Sequence, residues 1–213
     1  MSKKLFSWDK FYHIPIIGIV RGLSLDEIKN ILPVYLESGL NTIEITMNTK
    51  GAAAIIHYIR DKYPALNAGA GTVFTKKHLE TALDAGAQFI VTPVIDKKVI
   101  GSCVKKQIPV FAGAFTPTEI YQAWSLGASM VKVYPAKTLG AAYIKDIKAP
   151  LNQVKLLPTG GIGLDDIVAY RKAGADGFGI GSPLFIKQLI EENNWQGLLE
   201  HFKKFVGKLQ TNP

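Results

Sequence analysis

Two charged residues stand in the middle of runs that read as strands packed on both faces. Lys132 is the centre of MVKVYP (130–135), and Glu44 is the centre of NTIEITM (41–47). An unpaired charge is costly to bury, and Lys and Glu are among the residue types least often fully buried. Side chains alternate along a strand. Lys132 therefore shares a face with Met130 and Tyr134, leaving Val131 and Val133 on the other. Glu44 shares a face with Thr42 and Thr46, opposite Ile43, Ile45 and Met47. A desolvated lysine has a lowered pKa, and its neutral amine is a nucleophile. Attack on a ketone gives a Schiff base, which draws electrons from the neighbouring carbon, and a nearby carboxylate moves protons. A third charge, Arg21, ends the apolar run IPIIGIVRG (14–22) and offers a partner for a substrate carboxylate. Lys, Glu and Arg together describe the chemistry of a 2-keto acid. The competing reading is an ion pair that fills the interior, where desolvation offsets the attraction.

The elements that must position these residues form a repeat. ESGLNTIEIT (37–46), DAGAQFIVTP (84–93), SLGASMVKVYP (125–135) and KAGADGFGIGS (172–182) each place a glycine at a helix end, a few residues before a strand. Gly39, Gly86, Gly127 and Gly174 are 47, 41 and 47 residues apart, about two strand–helix units. Glycine at that position closes a helix in the left-handed conformation. A second set of strands lies between them: 14–22, LNAGAGTV (66–73), IPVFAGAFTP (108–117) and VKLLPTGG (154–161). The intervening stretches carry a helical period and caps: Ser24 with Glu27 three residues on, Thr75, and Thr116 or Thr118. In GLDDIVAYRKAG the acids Asp165 and Asp166 match the positive end of a helix dipole. Pro33 predicts a kink or local irregularity in the first long helix.

Eight strands alternating with helices predict a parallel sheet closed as a (β/α)8 TIM barrel. The alternative is an open doubly wound sheet, but no G-x-G-x-x-G opens a helix here. Residues 1–213 then form a single domain, with a short N-terminal helix over FSWDKFYH (6–13) plugging the barrel bottom and a long final helix over 184–208. Barrel chemistry sits at the C-terminal ends of strands. Besides Arg21, Glu44 and Lys132, those ends offer Thr46, Asn48, Thr72, Thr92, Thr116, Thr159 and Ser182. PTGGI (158–162) and GIGS (179–182) end strands seven and eight, where such barrels bind phosphate. Glycine backbone approaches an anion closely, so Gly160, Gly161 and Ser182 form a candidate phosphate site. Tight turns alone would also use these glycines.

Bulk features bound the rest. No apolar run reaches the roughly 18 residues of a membrane span, and MSKKLFSWDKFYHIPII is broken by Asp9, Lys10 and His13, unlike a signal peptide. The lone Cys103 excludes an internal disulfide framework and fits a reducing cytoplasm. The net charge of +8 comes from scattered lysine pairs, among them Lys3-Lys4, Lys76-Lys77 and Lys203-Lys204, without a nucleic-acid motif. Neither nucleic acid nor membrane is an expected partner. His13, His57, His78 and His201 have no metal-ligand spacing.

The ordered motifs IEIT (43–46), GAGTV (69–73), GAQFIVTP (86–93), TPTE (116–119), VKVYPA (131–136) and PTGGI (158–162) cover nearly the whole chain. In these the sequence resembles the KDPG/KHG aldolase family of class I aldolases. The resemblance implies Lys132 as Schiff-base lysine and Glu44 as general acid/base. It implies Thr72 and an arginine as holders of the substrate carboxylate, Pro93 and Tyr134 as pocket residues, and Gly160, Gly161 and Ser182 as phosphate ligands. The implied reaction cleaves 2-keto-3-deoxy-6-phosphogluconate to pyruvate and glyceraldehyde 3-phosphate, and also 4-hydroxy-2-oxoglutarate to pyruvate and glyoxylate. No metal or other cofactor is implied, because the iminium is the electron sink, and a homotrimer is the implied assembly. One departure bears on specificity. Some members carry an arginine four residues after the Glu, where this chain has Asn48; others place it at the end of strand one, as Arg21 is here. Arg21 and Asn48 echo relatives that cleave the phosphogalactonate epimer, whereas Thr159 matches phosphogluconate-type members. Both epimers stay open, with phosphogluconate preferred. The more distant alternatives are another phosphate-binding barrel enzyme and a non-catalytic phosphosugar-acid sensor.

Overall fold

The computed structural model describes residues 5–210; the Lys3-Lys4 pair lies outside them. The elements alternate along the chain: α1 (Trp8–His13), β1 (Ile16–Val20), α2 (Leu25–Glu37), β2 (Thr42–Thr46), α3 (Ala52–Lys62), β3 (Asn67–Gly71), α4 (Lys76–Asp84), β4 (Ile90–Val91), α5 (Lys97–Lys105), β5 (Val110–Ala114), α6 (Pro117–Ser125), β6 (Met130–Val133), α7 (Ala136–Lys148), β7 (Leu156–Pro158), α8 (Ile167–Lys172), β8 (Phe178–Ile180), α9 (Lys187–Glu191) and α10 (Trp195–Gln210). All paired strands are parallel, in the order β7-β6-β5-β4-β3-β2-β1-β8. A further parallel bridge between Thr159 and Gly179 joins β7 to β8, so the sheet closes as the (β/α)8 barrel.

The barrel has two separate cores. Ile43, Ile45, Val131 and Val133 pack outward against the helices, with Ile28, Ile56 and Ile120. Ile17, Phe89, Phe111, Met130 and Leu157 fill the interior together with Phe6 and Phe11 from the N-terminal segment. The outward set is the alternate of the face that carries Glu44 and Lys132, so the strand parity read from the sequence holds. Helix α1 plugs the bottom. Phe6 meets Phe89 edge-on at 5.4 Å and Phe11 lies 6.0 Å from Phe111. Asn67 at the start of β3 anchors the plug, accepting from the Ser7 amide and donating to the Ser7 carbonyl, both at 2.9 Å. Truncating Phe11 at this fully buried position removes about 3–5 kcal/mol.

The helix signals are largely realised. Ser24 and Glu27, and Thr116 and Glu119, form complete capping boxes, and Thr75 caps α4. The repeat glycines Gly39, Gly86, Gly127 and Gly174 take φ of 94°, 92°, 92° and 100°, the left-handed region that favours glycine at a helix end. Three expectations differ. Helix α2 runs unbroken through Pro33, which faces solvent, so the carbonyl it leaves without a donor at Lys29 is on a hydrated face. Asp165 and Asp166 lie before α8 rather than in its first turn, and Asp166 accepts from the Gly163 amide at 2.8 Å. The final helix is two helices: Asn193 at φ 52° breaks the chain, and the Asn194 side chain accepts from the Gly197 amide at 2.8 Å to start α10. Cys103 is fully buried on α5, and burial pushes its thiol up to about 12. No helix among the described residues is long and apolar enough to cross a membrane.

Candidate active site

Lys132 occupies the third position of β6, in register with Gly113 of β5 and Leu157 of β7. Glu44 is the centre of β2, in register with Ile19 of β1 and Gly69 of β3. Only 7% of Lys132 and 1% of Glu44 is exposed. Burial is the largest influence on both. It holds the Lys132 amine below its ordinary value and the Glu44 carboxyl above its own, each partly offset by the attraction of the other. Arg21 adds to both fields, pushing Lys132 further down and pulling Glu44 back. Yet the two groups do not form a direct ion pair within 4.0 Å, and among the described residues no group donates a hydrogen bond to the Glu44 carboxyl. The Lys132 ammonium carbon chain instead brings Nζ to 5.2 Å from the centre of the Tyr134 ring.

The glycines of the AGAG run (68–71) explain how the barrel accommodates the carboxyl group. A β-carbon at Gly71 would overlap the Glu44 carboxylate, and one at Gly69 would strike the Phe89 ring. β3 therefore contributes empty space on its inward face, and Glu44 extends across it.

A cavity of about 750 Å³ opens at the C-terminal mouth. Arg21, Lys132, Tyr134, Thr159, Gly160, Gly161 and Ser182 all line it. Arg21 is exposed just past β1, and among the described residues its side chain has no ion-pair or hydrogen-bond partner. Thr159 points inward, its hydroxyl donating to the Leu157 carbonyl at 3.2 Å. Gly160 and Gly161 adopt φ of 97° and 75°, which an L side chain rarely takes, and the Lys137 side chain lies against Gly161.

The remaining candidates lie elsewhere on the mouth. Glu44 is not among the residues that line the cavity, and Asn48 is exposed in the turn after β2. Thr72 follows β3 with φ 57°, an outlier for a β-branched residue. Pro93 follows β4, its carbonyl packed against Gly113. Thr92 and Thr116 are structural: the Thr92 hydroxyl donates to the Val94 carbonyl at 2.7 Å, and Thr116 caps α6. The cavity also has a charged rim that sequence reasoning missed, made by Glu27, Lys187 and Glu191. Glu27 had a visible local role as a capping residue, and that role hid its position at the mouth. Among the described residues no group of three or more His, Cys, Asp or Glu is placed to share a metal ion.

A closed (β/α)8 barrel with a desolvated lysine and a carboxyl group facing its mouth defines the class of Schiff-base aldolases. The family model for KDPG and KHG aldolase matches residues 9–200, and the chain belongs to that family. It is 36% identical to the 2-dehydro-3-deoxy-phosphogluconate aldolase of Haemophilus influenzae over 84% of this chain and 86% of that one. It is 34% identical to a probable 2-dehydro-3-deoxy-6-phosphogalactonate aldolase of Rhizobium meliloti, over 80% and 82%. The solved KDPG aldolase of Legionella pneumophila, with pyruvate captured as a covalent carbinolamine, superposes with a TM-score of 0.82 at 25% identity, over 91% of this chain and 95% of that one.

Proposed function

We propose that this chain is an aldolase that reversibly cleaves 2-keto-3-deoxy-6-phosphogluconate to pyruvate and glyceraldehyde 3-phosphate. The observation that carries the reading is a lysine buried in a core strand, without an ion-pair partner among the described residues, lining a cavity that also holds Arg21 and a glycine pair. The neutral Lys132 amine attacks the keto carbon, and loss of water gives an iminium. Glu44 serves that dehydration and then takes the proton of the hydroxyl on the second carbon beyond the iminium carbon. The bond between that hydroxyl-bearing carbon and the carbon next to the iminium breaks, its electrons move into the iminium as an enamine, and the aldehyde leaves. Protonation of the enamine and hydrolysis release pyruvate and restore the amine. The iminium is itself the electron sink, so the scheme needs no cofactor.

Arg21 and Thr72 hold the substrate carboxylate in this reading, and the strained backbone of Thr72 suits a residue fixed for function. Gly160, Gly161 and Ser182 take the phosphate at the far end of the cavity, and Pro93, Tyr134, Thr159 and Asn48 line the substrate's middle. The same chemistry extends to 4-hydroxy-2-oxoglutarate, which lacks the phosphate. The phosphogalactonate epimer is the second reading, supported by Arg21 ending β1 while Asn48 stands after β2. Comparing kcat/KM for the two epimers separates them, because an unpaired buried polar group penalises the wrong hydroxyl configuration.

The test is reductive trapping. Incubation with pyruvate and borohydride should give one stable adduct on the peptide holding Lys132, absent from Lys132→Ala. An adduct elsewhere, or none, refutes the mechanism. The exposed apolar residues Phe74, Val94 and Phe115 follow three adjacent strands, β3, β4 and β5, and support a homotrimer with this face covered. Light scattering should give three times the chain mass, and a monomer mass for Phe115→Glu; a wild-type monomer would exclude the assembly.

A further inference from the structure

Arg21 poses a structural problem. Among the described residues no hydrogen bond or ion pair within 4.0 Å holds its side chain, so its placement leans on the backbone. The β1–β2 ladder that would fix that backbone ends at the Val20–Ile45 pair, one residue before it. Beyond Arg21 the next tie is a side chain: the Gly22 amide donates to Thr49 Oγ1 at 3.0 Å. Thr49 is 5% exposed although it belongs to the loop after β2. Its hydroxyl also pairs with the Thr46 hydroxyl at 3.0 Å, and its amide donates to the Thr46 carbonyl at 2.8 Å. Thr46 is fully buried at the end of β2, on the inward face that carries Glu44 two residues earlier.

We propose that Thr49 is a positioning residue for Arg21, its hydroxyl bridging the backbone that follows the arginine to the strand that carries Glu44. The inference rests on the reading of Arg21 as the holder of the substrate carboxylate. Arg21 is bracketed by Val20, fixed through the ladder, and Gly22, fixed through Thr49. Gly22 stands at φ 75°, and a β-carbon there would meet nothing within 4 Å, so glycine is present for the turn and not for space. The Thr46–Thr49 pair carries the clamp to β2, so the arginine and the acid/base carboxyl are referred to one strand.

Pyruvate isolates the effect, because its carboxylate is the main handle it offers. Exchange of pyruvate methyl protons for deuterium, followed by NMR on the full chain, gives KM and kcat for imine and enamine formation. Thr49→Val keeps the volume and removes the hydroxyl. A displacement of about 1 Å in a positioning group costs on the order of 10²-fold, so KM for pyruvate should rise by about tenfold or more with kcat per active site, titrated by borohydride trapping, within about threefold. Thr49→Ser, which keeps the hydroxyl, should restore KM. In an Arg21→Ala background Thr49→Val should change KM no further, since coupled residues are not additive. A merely structural role would lower the active fraction and thermal stability and leave KM of the folded molecules alone. Should the valine variant fold poorly, Thr49→Ala is measured in the same way. If Arg21→Ala raises KM and the Thr49 variants do not, this inference alone is overturned. If Arg21→Ala leaves KM unchanged, the reading of Arg21 falls and takes this inference with it.

Discussion

Gly71→Ala tests the placement of the acid/base group more sharply than removing Glu44 itself. The added β-carbon would overlap the Glu44 carboxylate and stand 2.7 Å from Glu44 Cγ. The methyl group cannot rotate away, and β3 is locked to β2 through a five-residue register from Thr42–Asn67 to Thr46–Gly71. The carboxyl group must therefore swing off its present position by a distance on the order of the 1 Å that costs about 10²-fold. Proton transfer by a positioned group is worth about 10²–10⁴-fold, so kcat for cleavage should fall by at least two orders of magnitude. The overpacking itself costs about 1–3 kcal/mol of stability.

Gly69→Ala is the control built into the same strand. It faces the same interior, two residues earlier, but meets the Phe89 ring instead of the carboxylate. Its expected stability loss is the same about 1–3 kcal/mol, with turnover per folded molecule nearly unchanged. Urea unfolding gives the stability of each variant, and coupled detection of the released aldehyde gives kcat at a temperature where both are folded. If Gly71→Ala turns over at the wild-type rate, or if both alanine variants lose turnover equally, Glu44 is not the proton-transfer group.

The buried amine sets the pH dependence. Lys132 lies below its ordinary 10.5, so the rate of borohydride-trapped imine formation should rise with pH and level off below 10.5. Glu44→Gln removes the group that raises Lys132 and should move that limb to lower pH, whereas Arg21→Ala removes one that lowers it and should move the limb up; an unmoved limb in both would contradict the electrostatic assignment. Because the folded value lies below the unfolded one, the unfolded chain binds more protons between them, and wild-type stability attributable to this group rises with pH up to about 10.5. Lys132→Met should be more stable than wild type at pH 7, by about 1–4 kcal/mol as when buried charges give way to apolar groups, with the difference shrinking toward pH 10.5 in denaturant titrations. Gly161→Ala forces a side chain into φ 75° and against Lys137, so KM should rise several-fold for the phosphorylated substrate and stay unchanged for 4-hydroxy-2-oxoglutarate in parallel assays.

The barrel was legible because its signals are local. Each capping box spans four residues, each closing glycine announces its own helix end, and alternation within five residues sets which way Lys132 and Glu44 point. What was hidden depends on pairs distant in sequence. The AGAG run was visible, but the reason for Gly71 is a side chain on another strand, and the clamp from Gly22 to Thr49 spans 27 residues with no local pattern. The break at Asn193 was missed for another reason. Ile190 of α9 and Leu198 of α10 bury against the same core, so the apolar period continues across a chain that the asparagine has already turned.

The separation of Lys132 from Glu44 is the feature on which reactivity turns. A direct pair would hold the lysine as ammonium and the glutamate as carboxylate, since each charge favours the other in a low-dielectric interior. The amine would then be no nucleophile and the carboxylate no acid. With more than 4.0 Å between them and no hydrogen bonds on the carboxyl group, burial outweighs attraction for both. The gap is also where a reacting carbon must enter, between the group that forms the imine and the group that moves its protons. Gly71 makes that geometry available by leaving room for the carboxyl group against β3. The stability lost in burying an imperfectly paired charge is thus tied to the same spacing that shifts both groups toward their neutral forms.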